Sequence, residues 1–338
     1  MSAITILPAA ASAQVRIEER VTVQRVLVDV RVTDERGQPV TDLSASDFSV
    51  DLDGRRARVE WSQWIGTDLL PRPLDGAGGE TSSALAPQTG RLIVFLFQKD
   101  LITTRVEGMV KMMREASRYV ERLGPQDRAA VAVYERRLRI WQDFTSDRER
   151  LRRVLDGGIL HDPPSAEASG DVSLMAALDK EQAEKAYSPE LALLALGTAL
   201  DRIAGAKSLV LFGYGFGELK MPLGDVRASY AVQNADYARA QRALLASRTT
   251  VFALDITQAD YHSLETGLMA IADETGGFYA STYELPQIAM KRLDAALSGY
   301  YVLSVEKDTT GGAGTRHPIR VRVRTKGATV LARQFYVD

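Results

Sequence analysis

The chain has 338 residues, with 42 Lys and Arg against 44 Asp and Glu for a formal net charge of −2. It is long enough for two cores and carries no cationic excess to neutralise a nucleic-acid backbone. Hydrophobic residues at 45% and charged residues at 25% suit a folded soluble chain, and no apolar run reaches the roughly 20 residues of a membrane span.

Ile4 to Ala13 reads ITILPAAASA and ends in the small-x-small pattern Ala11-Ser12-Ala13, so residues 1–13 read as the remnant of an export leader without its charged start. From Val21 the apolar pattern has period two. Val26, Val28, Val30 and Val32 alternate with polar positions, Phe48 to Leu52 alternates again, Asp53-Gly54 marks a hairpin, and Ala57 to Trp64 continues as strand. Gly66 to Gly90, rich in Gly, Pro, Ser and Thr, reads as a linker.

At Leu92 the pattern changes to a continuous apolar run through Phe97, the mark of a strand buried on both faces of a parallel sheet. Helical spacing follows from Val106 to Leu123. Strands are predicted at Ala129–Tyr134, Leu138–Trp141, Leu209–Phe212, Val251–Leu254 and Phe278–Ser281. Between them helices are predicted from Asp147 to Leu155, Leu174 to Tyr187, Pro189 to Ile203, Val226 to Ser247, His262 to Glu274 and Leu285 to Leu297. Alternation of this kind implies an open α/β sheet with helices on both faces. Period two returns at Tyr301, Leu303 and Val305 and continues through Ile319, Val321, Val323, Val330 and Phe335. Pairing the two terminal β segments into one β-sandwich hides edges that neither could cover alone. The expected domains are therefore 14–65 plus 299–338 as the sandwich, 66–90 as linker and 91–298 as an inserted α/β unit.

Several stretches occur in the order found in the von Willebrand factor type A-related family of bacterial exported proteins. They are Val28-Asp29-Val30-Arg31-Val32-Thr33-Asp34, Gly37 to Leu43, Asp47-Phe48, Asp127-Arg128, Ala272-Asp273-Glu274-Thr275-Gly276-Gly277 and Tyr300-Tyr301-Val302-Leu303. The chain resembles that family from about Val21 onward. The resemblance implies a metal-ion-dependent adhesion site at the carboxyl edge of the sheet, built on Asp-x-Ser-x-Ser after the first strand and an Asp after the fourth. Here Gln98-Lys99-Asp100-Leu101-Ile102 follows the first strand and Gly213-Tyr214-Gly215 the fourth. An amide, an ammonium and a phenol do not compensate a divalent cation, so the site reads as degenerate, with no metal and no cofactor.

The absence of cysteine removes disulfides, thiolate metal centres and cysteine nucleophiles, and no serine sits in a nucleophile elbow. His161, His262 and His317 are the three histidines; their separation spells no zinc motif, and each reads as a loop or element-start residue. Gly213 to Gly217 lacks the spacing of a dinucleotide loop and reads as a glycine-rich turn. Arg148, Arg150, Arg152 and Arg153 read as a solvated helix face, and 157–188 as an insertion long enough to be functional or disordered. Asp100 with Asp255 would be a carboxylate pair for acid–base chemistry, against the commoner reading of solvated strand ends.

The function expected is an exported, periplasmic or extracellular, non-catalytic binding or assembly module, with no catalytic residues. Its partner would be a protein or a second copy, met through Gln98, Lys99, Asp100, Tyr214, Phe216 and Asp255; nucleic acid and a membrane span are not expected. The alternatives are a hydrolase or sugar-modifying enzyme using strand-end carboxylates, and a small-ligand-binding domain at the Gly213 loop. Tyr214 and Phe216 are expected to be held outward on glycine-flanked backbone, or else folded back against neighbouring helices.

Overall fold

In chain order the strands and helices begin with β1 (Gln24–Thr33), β2 (Phe48–Leu52), β3 (Arg55–Ala57) and β4 (Val59–Gly66). A computed structural model describes residues 24–66, 90–100, 102–164, 167–168, 170–220, 230–259, 262–307 and 314–337. The leader-like stretch, most of the linker and the turn at 308–313 lie outside the described residues. Next come β5 (Leu92–Gln98), α1 (Thr103–Val120), β6 (Arg128–Tyr134), β7 (Leu138–Thr145), α2 (Arg148–Arg153), α3 (Ile159–His161), α4 (Leu174–Ala177), α5 (Lys180–Glu184) and α6 (Pro189–Asp201). The rest are β8 (Lys207–Gly213), β9 (Glu218–Lys220), β10 (Tyr230–Val232), α7 (Ala235–Ala246), β11 (Thr249–Asp255), α8 (Glu265–Thr275), β12 (Tyr279–Ser281), α9 (Pro286–Leu297), β13 (Gly299–Lys307), β14 (Arg316–Val323), β15 (Thr329–Ala332) and β16 (Phe335–Val337).

The central sheet has the order β12-β11-β8-β5-β6-β7, parallel throughout except for β7, which runs antiparallel to β6. Every residue of β5, β8 and β11 is buried, and alternation sends neighbours to opposite faces. Val94, Leu96, Leu209 and Leu211 pack with α6, α7 and α8. Ile93, Phe95, Phe97, Val210 and Phe212 pack with α1 and α9. The continuous apolar runs therefore follow from two helical layers, one on each side.

Terminal strands interleave in two antiparallel sheets, β15-β1-β13-β4 and β16-β14-β2-β3. Val28, Val30, Val50, Leu303, Val305 and Ile319, drawn from both sheets, share one apolar cluster. The β1–β13 sheet is buried on its second face as well, where Tyr300 and Val302 meet Ala206. Arg31 crosses that contact, donating to Thr250 Oγ1 at 3.0 Å and Ser208 Oγ at 3.2 Å, with its guanidinium near the rings of Phe252 and Tyr300. Arg248 pairs with Asp29 close by. Ser208 and Thr250 stand second in β8 and β11, so the terminal sheets cover the amino edge of the central sheet and leave the carboxyl edge opposite them.

Several expectations are corrected. The long helix from Val226 is α7 alone, starting at Ala235 behind the Asn234 side-chain cap; Tyr230–Val232 instead pairs with Glu218–Lys220 as a hairpin, and 221–229 are outside the described residues. The helix at Leu174 to Tyr187 is two single turns, each with its own cap, Ser173 and Asp179. Ala57 to Trp64 is broken at Arg58, because β3 belongs to one terminal sheet and β4 to the other. His262 does not open a helix; α8 begins at Glu265.

Candidate functional site at the carboxyl edge of the central sheet

Strand order reverses between β5 and β8, the switch point at which open α/β sheets take their ligands. Gln98 fills that point. It ends β5, is 2% exposed, and its Oε1 accepts from the backbone N–H of Tyr214 at 2.8 Å and of Gly215 at 3.3 Å. Its Nε2 donates to the Gly215 carbonyl at 3.3 Å. A Cβ on Gly213 would stand 2.3 Å from Gln98 Oε1, so any side chain there would push the Gln98 amide from its present hydrogen bonds.

The neighbouring polar groups are also engaged. Lys99 pairs with Glu135 at 3.4 Å, and Asp100 pairs with Arg105. Arg105 lies 4.2 Å from the centroid of the Tyr214 ring, a cation–π contact. Tyr214 is half-buried, its phenol pushed up first by burial and then by the Asp100 charge. Phe216 corrects an expectation: it is 2% exposed, with its ring 5.9 Å from that of Tyr237 and pressed against Gly267 of α8. Gly215 and Gly217, both at positive φ, turn the backbone so that this ring points into the core.

Asp255, at the end of β11, does not offer a free carboxylate. It is 1% exposed. Oδ1 accepts from the Thr257 N–H at 2.9 Å and hydroxyl at 2.8 Å, and Thr282 holds its carbonyl through both N–H and hydroxyl. Oδ2 lies 2.7 Å from His262 Nε2 and accepts from the Tyr279 hydroxyl at 2.9 Å. That phenol is also 3.0 Å from Glu265 Oε2, and burial followed by the Asp255 charge raises its pKa. Asp255, His262 and Glu265 bring ligand-type atoms within 4.8 Å of one another. Sequence reasoning singled out Asp255 but missed its companions; the signal was the His262-x-x-Glu265 spacing, which the turn leading into α8 closes through a Glu265 N–H to His262 carbonyl bond.

Exposed apolar side chains stand on elements that meet this same edge. Ile102 caps α1 just beyond β5; Leu219, Tyr230 and Val232 stand on the hairpin after the Gly213 loop; Leu285 and Ile288 open α9 just beyond β12. Tyr187, which leads into α6, is held there by the Tyr134 hydroxyl donating to its carbonyl at 2.9 Å. Among the described residues the remaining large exposed hydrophobic is Met269, on the second turn of α8. No helix of the described residues is long and apolar enough to cross a membrane.

No family model and no curated protein matches the chain. Among solved structures it is similar to the human COPII-coat protein Sec24c, at 12% identity and a TM-score of 0.40, over 74% of this chain and 44% of that one. It therefore spans less than half of that protein's length. It is also similar to an aerotolerance-related membrane protein from Bacteroides fragilis, at 12% identity and a TM-score of 0.40, over 62% of this chain and 98% of that one. A third likeness is to the conserved hypothetical protein BatB from Bacteroides thetaiotaomicron, at 11% identity and a TM-score of 0.38, over 61% and 98% of the two chains.

Proposed function

We propose that the chain is an exported, non-catalytic module that binds a protein partner, or a second copy of itself, through the carboxyl edge of a von Willebrand type A-like sheet. The terminal strands would form a β-sandwich base, 14–65 plus 299–338, with the α/β unit 91–298 inserted in it. The observation that carries this reading is the gathering of Ile102, Tyr187, Leu219, Tyr230, Val232, Leu285 and Ile288 on elements at one edge. Exposed apolar side chains scattered singly need no explanation, whereas a set confined to one edge is the mark of an interaction surface. The adhesion site is read as degenerate because Gln98 stands at the switch point and its amide is hydrogen-bonded to the Tyr214–Gly215 backbone.

The surface differs from the one expected from sequence. Gln98, Phe216 and Asp255 act as its supports, while Lys99, Asp100 and Tyr214 contribute polar groups beside the apolar ones. Each Leu or Ile fully covered by a partner contributes about 1.5–3 kcal/mol of transfer free energy, of which only part survives as affinity. The enzymatic alternative has one observation in its favour, the buried Asp255–His262–Glu265 group, which lies at the same edge.

The test is affinity capture from the source organism with the intact chain, followed by the same capture with Leu285→Ser, Ile288→Ser and Ile102→Ser combined. The expected result is loss of one specific partner, or of self-association in sedimentation, with the melting temperature unchanged. An identical set of captured proteins with wild-type and variant chains would reject the edge as the working surface.

A further inference from the structure

Two carboxylates buried side by side require positive charge. Asp255 and Glu265 are 1% and 6% exposed, and among the described residues neither has a Lys or Arg partner. The Tyr279 hydroxyl touches both, at 2.9 and 3.0 Å, yet a phenol carries a single proton and donates to one acceptor at a time. The other contact sets oxygen against oxygen. His262 Nε2, 2.7 Å from Asp255 Oδ2, is the cation-capable side chain beside the pair, so at least one of the two carboxylates has no cationic partner among the described residues. The His262 side chain keeps 19% of its exposure, so the group is not sealed from solvent.

We propose that Asp255, His262 and Glu265 form a binding site for a borderline transition-metal dication of the Zn²⁺ class. Two carboxylates and a neutral imidazole around a dication make an electrically neutral buried group. One nitrogen and two oxygen donors are a ligand set that Zn²⁺ accepts and that Mg²⁺, which prefers oxygen and its own waters, does not. The donors are held in advance: Thr257 takes Asp255 Oδ1, Thr282 fixes the Asp255 backbone, and Oδ2, which His262 and Tyr279 contact, is the atom that would face the ion. Tyr279 then serves as the outer partner that orients the carboxylates. Tetrahedral ligands at about 2.0–2.1 Å from an ion stand about 3.3 Å apart, against the 2.7 Å between His262 Nε2 and Asp255 Oδ2. The segment that leads into α8 must therefore yield by about 0.6 Å. Three protein ligands leave a coordination position open. This site lies two strands from Gln98, with β8 between them, at the same edge as the partner surface proposed above.

The test is isothermal titration of the chelator-stripped full chain with ZnCl₂, paired with the visible spectrum of the Co²⁺ form. With no cysteine and three histidines in the chain, competing sites are few. One saturable Zn²⁺ site is expected, with MgCl₂ producing none. His262→Ala and Glu265→Gln should abolish it while the metal-free melting temperature stays within a few degrees, and Tyr279→Phe should weaken it by about 10–100-fold. Absence of saturable Zn²⁺ binding in the wild-type chain would overturn the proposal. Undiminished binding in His262→Ala would overturn it equally.

Discussion

Gln98 stands at the switch point and ties two segments together with neutral hydrogen bonds. Gln98→Ala leaves the Tyr214 and Gly215 N–H groups without their acceptor, which costs about 1–3 kcal/mol for a buried donor. Urea unfolding should record that loss, and hydrogen exchange should place it at 213–217. Phe216→Ala should cost about 3–5 kcal/mol, the range for an aromatic removed from a core; a change under 1 kcal/mol would mean the ring is outside, as one reading of its glycine-flanked sequence had it. Sequence alone could not choose between those readings, because glycines permit the turn without saying which way it goes. Lys207 is 2% exposed, and burial, with the nearby charge of Arg248, pulls its ammonium down from 10.5 to about 8. Between those two values the unfolded chain binds more protons than the folded one, so stability rises with pH across that window and the burial penalty is fully present below it. The rise amounts to about 3 kcal/mol at most, and a comparison of melting curves from pH 7 to 10 should find it in the wild-type chain and absent in Lys207→Met.

Elements with one strong period were legible in the sequence. Leu92 to Gln98 could hardly be anything but a doubly covered strand, and Pro189 to Asp201 announced itself by Ser188 as cap and proline in its first turn. The hairpin of β9 and β10 was not legible, since its strands are three residues each and mixed in polarity. Asp255 could be singled out as a strand end, but its companions arrive from two further elements. Parallel pairing of Ala253 with Tyr279 sets the phenol on the face where Asp255 also points, a relation no local pattern encodes. Gly276 and Gly277 end α8 and show how closely elements approach: a Cβ on Gly277 would lie 1.8 Å from the Val251 carbonyl oxygen. Gly277→Ala should therefore displace α8 from β11 and cost at least the 1–3 kcal/mol typical of overpacking, measurable as a lowered urea midpoint at unchanged slope.

Across the whole molecule the terminal sheets and the carboxyl edge lie at opposite ends of the central sheet. Period-two patterning at both ends of the chain made the interleaving of the terminal strands legible, whereas the arginines that join them to the central sheet, Arg31 and Arg248, gave no sign in sequence of being buried. Because β1 is paired on one side with β13 and on the other with β15, deleting residues 299–338 should abolish exchange protection in β1 and β2; retained protection would contradict a shared unit. The central claim is that the edge opposite the terminal sheets is the working surface. Hydrogen–deuterium exchange of the full chain, with and without the partner that the capture experiment isolates, measures it most directly. The account predicts slowed exchange confined to 98–105, 213–220 and 283–290. A footprint on β2 and β14 with those segments unchanged would contradict it.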